Sequence, residues 1–407
     1  MNSRTSAAII ALSYEARNPC FVRIVIQQVF CREDSKKMAL LARRNFLKGI
    51  TASAAAFGTG AFIPSLFADG ESARPIEVDL STPSDVTDDE INSIYQEIQT
   101  PYKYGIVLPQ EDGDPVDSPN IFRVGGVWYM LYLRFLNKTG YVAKIAKSDD
   151  LLKWEPLGVV VPFRESGWDA WQCSPSAALV DYRWGGSYAI EPFDGKYWFT
   201  YIGGEGKGYE PDPLKIGLAY TDDPGSAKLW KRFDKPIMSP SDPDAREFEK
   251  TTMYKTSVIW DRDKSLGYQF VCFYNGKGSV NGKSAERIGI AVSNDLKLWR
   301  RYGNGPVIDN GSGISGDPQI VRMGDLWVMF YFGAFWKPKA FETFAVSRDL
   351  VHWRKWDGPH LVEPSEPFDQ TYAHKPWVIK HDGVVYHFYN AVGDQGRCIA
   401  LATSKKL

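Results

Sequence analysis

Cysteine is scarce in this chain, and it is not arranged as a framework. Five occur in 407 residues, and two of them, Cys20 and Cys31, lie in the N-terminal stretch set aside below. The remaining Cys173, Cys272 and Cys398 sit in separate apolar stretches. An odd, scattered count excludes a disulfide scaffold, and no spacing matches a metal site. Such residues read as small buried apolar side chains. Net charge is also lacking, at −1 over the whole chain. No apolar run is long and uninterrupted enough for a membrane span, and no stretch sustains helical periodicity. Ser174 has no Gly-x-Ser-x-Gly setting, which excludes the usual serine-hydrolase elbow.

The N-terminal region has a character of its own. Arg43-Arg44 precedes the mildly apolar, Ala/Gly-rich run 50–63, the pattern of a twin-arginine export signal with cleavage after Ala68. Met38 stands a few residues ahead of the arginines. Residues 1–37 are therefore expected to be a mis-called extension, 38–68 the signal and 69–101 a lead-in. The mature protein would be periplasmic or extracellular, with no membrane segment. Nine Lys/Arg and three Asp/Glu leave with residues 1–68, so 39 basic residues face 46 acidic ones, a net of −7. That balance gives no electrostatic case for nucleic acid.

What the sequence does have is a five-fold repeat. An apolar residue, Ala, any residue and Ser or Thr recur at 145–148, 218–221, 290–293, 344–347 and 401–404. The first four run through an acidic turn to Trp154, Trp230, Trp299 and Trp353. An apolar strand ending in Tyr132, Tyr201, Tyr274, Tyr331 or Tyr389 precedes each copy. Three of these tyrosines lie 13 residues after Pro119, Pro318 and Pro376, with a Gly-containing hairpin turn between. Each unit reads as four antiparallel strands. Five units predict an all-β, five-bladed β-propeller over 102–407, folded as a single domain. The fifth unit meets the C-terminus before its last strand, and Tyr102–Leu108 is expected to pair there and close the ring. A short capped helix is expected within 80–100.

A propeller gathers the starts of its first strands around one axis. Those starts read Asp117-Ser118-Pro119-Asn120, Cys173-Ser174-Pro175, Tyr254-Lys255-Thr256, Gly316-Asp317-Pro318-Gln319 and His374-Lys375-Pro376-Trp377. A purely structural repeat would make these places alike, yet they are polar, ionisable and all different. The axis leaves room for a structural metal ion, but no cofactor is called for.

These residues resemble the five-bladed propeller glycosidases around glycoside hydrolase families 43, 32 and 117. The resemblance covers roughly residues 100–407. It rests on Asp-x-Pro at 117–119, Asp-Pro at 317–318, the Asp-Leu-x-x-Trp blade ends, and Trp168-Asp169 and Phe368-Asp369. It implies a hydrolase of plant or algal oligo- or polysaccharide, with Asp117 as base or nucleophile and Asp317 orienting substrate or tuning the acid. Family 43 would place a Glu at the start of a later blade, and none stands there. Family 117 implies a His in the last blade, a place that His374 occupies; Glu205 and Glu191 in the blade 2 insertion are the other candidates for the acid. Cleavage needs one group to protonate the leaving oxygen and another to attack or activate water. With His374 as the acid, a neighbouring Asp317 would favour its protonated form.

Substrate contacts are expected from Asn120, Lys255, Gln319 and Lys375, and from the aromatic faces of Trp171, Tyr254, Trp336 and Trp377. The partner is then a saccharide and the protein a monomer. A non-catalytic carbohydrate-binding propeller and a lyase acting on uronic acids are the alternatives.

Overall fold

The computed structural model describes residues 74–407. The extension expected at 1–37, the export signal at 38–68 and the beginning of the lead-in lie outside the described residues. Among these residues twenty strands make five antiparallel blades in chain order. Blade 5 takes its outermost strand from the other end of the chain. There β1 (Tyr102–Leu108) pairs with β20 (Gly396–Thr403), which continues through β19 (Val384–Gly393) to β18 (Tyr372–His381). The closure expected from the sequence is therefore present, and it covers an otherwise open sheet edge.

Blade 1 is β2 (Val116–Val124), β3 (Val127–Leu136), β4 (Gly140–Ser148) and β5 (Glu155–Val161). Blade 2 is β6 (Gln172–Ala177), β7 (Tyr197–Gly204), β8 (Lys215–Thr221) and the short β9 (Lys231–Arg232). Blade 3 comprises β10 (Thr252–Trp260), β11 (Phe270–Val280), β12 (Lys283–Ser293) and β13 (Arg300–Arg301). Blade 4 comprises β14 (Gly313–Met323), β15 (Leu326–Ala334), β16 (Ala340–Ser347) and β17 (Arg354–Lys355). Blades 3 and 4 are further joined by a short parallel ladder, Ala285 to Gly313 and Glu286 to Ile314.

The recurrent blade end has a local cause. In Ser-x-Asp-Leu-x-x-Trp the Ser hydroxyl accepts from the Leu amide, at 2.9 Å for Ser148, 3.0 Å for Ser293 and 3.1 Å for Ser347. The Asp carboxylate accepts from the two amides that follow the Leu. Leu151, Leu296 and Leu350 adopt φ of 66°, 65° and 70°, and their carbonyls accept the indole N–H of Trp154, Trp299 and Trp353. The turn's polar groups are thus satisfied internally while Leu and Trp enter the core.

Apolar blade faces pack against their neighbours. Leu218, Met253 and Cys272 meet between blades 2 and 3, and Val328, Phe344 and Val378 between blades 4 and 5. The three described cysteines are free and buried. Helix α1 (Asp88–Ile98) starts at Thr87, whose side chain and that of Glu90 form a capping box, and buries Ile91, Ile94 and Ile98 on the blade 4–5 cluster. No helix among the described residues is long and apolar enough to cross a membrane.

Candidate active site

The first strands of four blades break register where they reach the axis. Pairing skips between Asp117 and Asn120, Met253 and Thr256, Gly316 and Gln319, and His374 and Trp377. In three of them the residue before the proline takes a left-handed backbone: Ser118 at φ 57°, Asp317 at 52° and Lys375 at 64°. Each such non-glycine residue costs on the order of 1–3 kcal/mol, which the surrounding blade must offset. A bulge of this kind re-aims side chains. Asp117 and Asp317 fall at different places of this bulge, as their spacing from the prolines, Asp-x-Pro against Asp-Pro, already marks. Asp117 is the last residue in register, equivalent to Gly316 and His374, whereas Asp317 is the bulged residue, equivalent to Ser118 and Lys375.

A cavity of about 340 Å³ opens above these bulges. Asp117 does not form part of its wall. It is buried beneath, with one carboxylate oxygen accepting from Lys375 Nζ at 3.0 Å and from Arg397 at 2.6 Å, and the other from the Ser118 amide. Burial alone would raise its pKa, but the two cations outweigh it and hold the carboxyl well below the usual range. The ammonium and guanidinium are themselves on the wall. Asp117 is therefore placed to fix and neutralise them.

Two glutamates face the cavity. Glu210, on the loop between β7 and β8, accepts a hydrogen bond from the Tyr141 hydroxyl at 3.0 Å and lies 3.9 Å from Lys375 Nζ. Glu286, on β12, accepts from the Asn275 amide at 3.1 Å. Gly316 gives that amide its space, since a Cβ there would stand 2.9 Å from Asn275 Nδ2. Burial, then the charges of Glu210 and Asp317, push the Glu286 carboxyl from 4.5 up to about 8. It is therefore protonated at neutral pH. Asp317 is also raised, by burial, against the opposing pull of Lys375 and Lys255. Its Oδ2 lies 3.9 Å from Lys255 Nζ and has no hydrogen-bond partner.

His374 reaches the wall, but not in the expected state. Its Nδ1 lies 3.2 Å from the Asn390 carbonyl, which can only accept, so Nδ1 carries the proton. Burial pulls its pKa down to about 3; Asp117 opposes this, while Arg397 and Lys375 reinforce it. A neutral imidazole at pH 7 has no second proton to give.

The other sequence-derived candidates divide. Tyr254 and Lys375 line the cavity. Lys255 is buried below it, with its ordinary pKa lowered by desolvation. Asn120 donates to the carbonyls of Ser118 and Pro175, and Gln319 exchanges two bonds with Val378, so both stitch adjacent blades together. Trp377 is buried and donates to Ile121 O. Trp336 donates to Ile314 O and packs edge-on to Phe341, while Trp171 packs between Phe163 and Lys207. Glu205 is exposed and off the cavity wall. Glu191 pairs with Arg262 in a separate pocket, at the far ends of the first strands. Among the described residues no cluster of three or more His, Cys, Asp or Glu is placed to hold a metal ion.

Glu210 and Glu286 were not among the sequence candidates. Signals for both exist: a Gly- and Pro-rich insertion at 203–213, and a Glu beside Arg287 in β12, where the blade 3 hairpin is unusually long.

Solved structures resemble this chain closely. One described as a complex of BT0996 with RGII and one described as a glycoside hydrolase are each 47% identical, with a TM-score of 0.77, over 79% of this chain and 96% of theirs. A thermostable family-43 glycoside hydrolase matches at 16% identity and a TM-score of 0.54, over 74% of this chain and 91% of its own, and shares the fold. No family model matches the chain, and no curated protein does.

Proposed function

The chain belongs to the five-bladed propeller glycoside hydrolases, and from that premise we propose that it cuts plant polysaccharide of the RGII kind in the axial cavity. Membership sets aside the two alternatives, a binding-only propeller and a lyase. In the proposed reaction Glu286 is the general acid and Glu210 the carboxylate that attacks the anomeric carbon or activates water. The glycosidic C–O bond breaks toward the leaving oxygen, which takes the Glu286 proton. Electrons return to the anomeric carbon from Glu210 or from the water it deprotonates.

The observation that carries this reading is the pair of unlike carboxyls lining one cavity. One is kept protonated by burial and by its acidic neighbours, while the other faces an ammonium. Divergent environments assign acid and base roles. Asp317 then acts as a positioning residue, since its proximity helps keep Glu286 protonated. Asp117 serves by holding Lys375 and Arg397, in place of the nucleophilic role that the family resemblance implied.

Incubation with RGII-derived oligosaccharide should release a saturated reducing sugar. Glu210→Gln should lose turnover with good and poor leaving groups alike; a Glu210→Gln protein as active as the wild type would overturn the assignment. An RGII-degrading enzyme meets its polymer outside the cytoplasm, in keeping with the Arg43-Arg44 motif, and N-terminal sequencing of exported protein tests that placement.

A further inference from the structure

The recurrent tyrosines of the second strands share one arrangement. Tyr201 donates to Asp169 at 2.7 Å, Tyr274 to Glu249 at 2.6 Å and Tyr389 to Asp369 at 2.8 Å, while Tyr132 donates to Glu111. Each carboxylate also takes a cation: Arg232, Arg301 and Lys103 from the outermost strands of blades 2, 3 and 5, and Lys144 in blade 1. Asp169, Glu249 and Asp369 stand three residues before the first strand of their blade. The clamp therefore ties the incoming loop to the second strand and to the outer edge of the sheet. Blade 4 departs from this pattern. Tyr331 and Lys355 are in place, but the residue three before β14 is Asn310. Its amide faces Tyr331, and its Oδ1 accepts from Lys355 Nζ at 3.1 Å. A place that holds a carboxylate in four blades holds a neutral amide in the fifth.

Asn310 is followed by Gly311, and in Asn-Gly the backbone amide reaches the side-chain carbonyl most readily, since glycine brings no Cβ to hinder it. The groups around this dipeptide match the steps of such an attack. The Gly311 N–H, whose nitrogen is the nucleophile, donates to Asp309 Oδ1 at 2.7 Å, so a carboxylate stands where its proton must go. The other oxygen of Asp309 is held by Arg287 at 2.9 Å, which fixes that base. Lys355 Nζ sits on Asn310 Oδ1, the atom on which negative charge develops. Asn310 Nδ2, the leaving nitrogen, donates to the Ser315 hydroxyl at 2.8 Å, a group that can hand a proton back.

We propose that Asn310 is a self-modification site, at which the folded protein converts its own asparagine to aspartate. The Gly311 nitrogen bonds to Asn310 Cγ, the Cγ–Nδ2 bond breaks, and the leaving nitrogen departs as ammonia with the proton that Gly311 gave up. Water then adds to Cγ, the new Cγ–N bond breaks, and the Gly311 nitrogen regains a proton. The net change is one water consumed and one ammonia released, with no oxidation or reduction. Opening at Cγ restores the main chain, whereas opening at the main-chain carbonyl would leave isoaspartate. Lys355 directs the outcome, because it polarises the oxygen on Cγ. The carboxylate formed completes the fifth clamp with Lys355 and Tyr331. This inference stands apart from the catalytic reading given above.

The test is peptide mapping by mass spectrometry on the full protein, held in neutral buffer and sampled over days. Asn281-Gly282, at the exposed turn between β11 and β12, is the internal reference for the same dipeptide. Conversion at position 310 should run at least about tenfold faster than at Asn281, and should yield aspartate that isoaspartyl methyltransferase does not label. Position 310 already converted in fresh protein, with Asn281 intact, supports the proposal equally. Asp309→Asn should slow conversion about tenfold. Lys355→Gln, at an exposed position that does not threaten folding, should slow it and shift the product toward isoaspartate. Asn310→Asp protein, which carries the product from the start, should unfold at higher denaturant than unconverted wild type. Conversion no faster than at Asn281, a product that is chiefly isoaspartate, or a rate unchanged in both slowing variants overturns the proposal. So does an Asn310→Asp protein less stable than the unconverted wild type.

Discussion

Replacing Glu286 by Gln should change activity and stability in opposite directions. A protonated Glu286 is neutral in the folded protein at pH 7, whereas in the unfolded chain a Glu near 4.5 is ionised. Folding must therefore bind a proton, and a folded pKa of about 8 makes that cost on the order of 3 kcal/mol at pH 7. The sign follows from the raised pKa. The cost is absent below about pH 4.5, grows by about 1.4 kcal/mol per pH unit above it, and levels off beyond pH 8. Gln removes the titration while keeping an oxygen to accept from Asn275. Denaturant unfolding from pH 4 to pH 8 should show wild type and variant alike at the acid end, with the variant more stable as pH rises. Turnover of a natural oligosaccharide should fall by about 10²- to 10⁴-fold, and far less for an aryl glycoside with a good leaving group. A purely structural carboxyl would lose stability and activity together. A Glu286→Gln protein that is less stable at pH 7, or that turns over poor leaving groups normally, would refute the assignment.

Wild-type kcat/KM should decline as pH rises through about 8, where Glu286 gives up its proton. His374→Gln should leave that decline in place, because His374 titrates near 3; a decline removed by the substitution would return the acid role to His374. Asp117→Asn should lower stability by about 3–5 kcal/mol, read by chemical denaturation, because Lys375 and Arg397 would be left without their shared carboxylate. Ser293→Ala should cost about 1–2 kcal/mol in the same assay through the unpaired amides of Asp295 and Leu296.

The architecture was legible because its signals are local and repeated. Ser293, Asp295, Leu296 and Trp299 satisfy one another within seven residues, and the same set recurs in blades 1 and 4, so the period could be counted without knowing any long-range contact. The closing strand was readable for a similar reason, since a fifth unit lacking its last strand leaves an edge that Tyr102–Leu108 can cover. That the polar starts of several first strands line one cavity followed from the fold, which gathers them around the axis.

The roles within the site depended on distances that no pattern encodes. Asp117 and Asp317 differ by one residue in their spacing from the following proline, and the bulge turns that small difference into two places, one buried against two cations and the other bulged beside Lys255. His374 kept its place but is held neutral, because burial and two nearby positive charges outweighed the carboxylate. Glu210 and Glu286 come from a loop and a third strand, outside the repeat positions that define the axis, and acquire meaning only where blades 2 and 3 bring them to one cavity. The sequence by itself determined the five blades and their closure, since these rest on short-range periodicity. Which carboxyl keeps a proton was decided by the tertiary structure alone, because a pKa is set by burial and by charges brought close from distant parts of the chain.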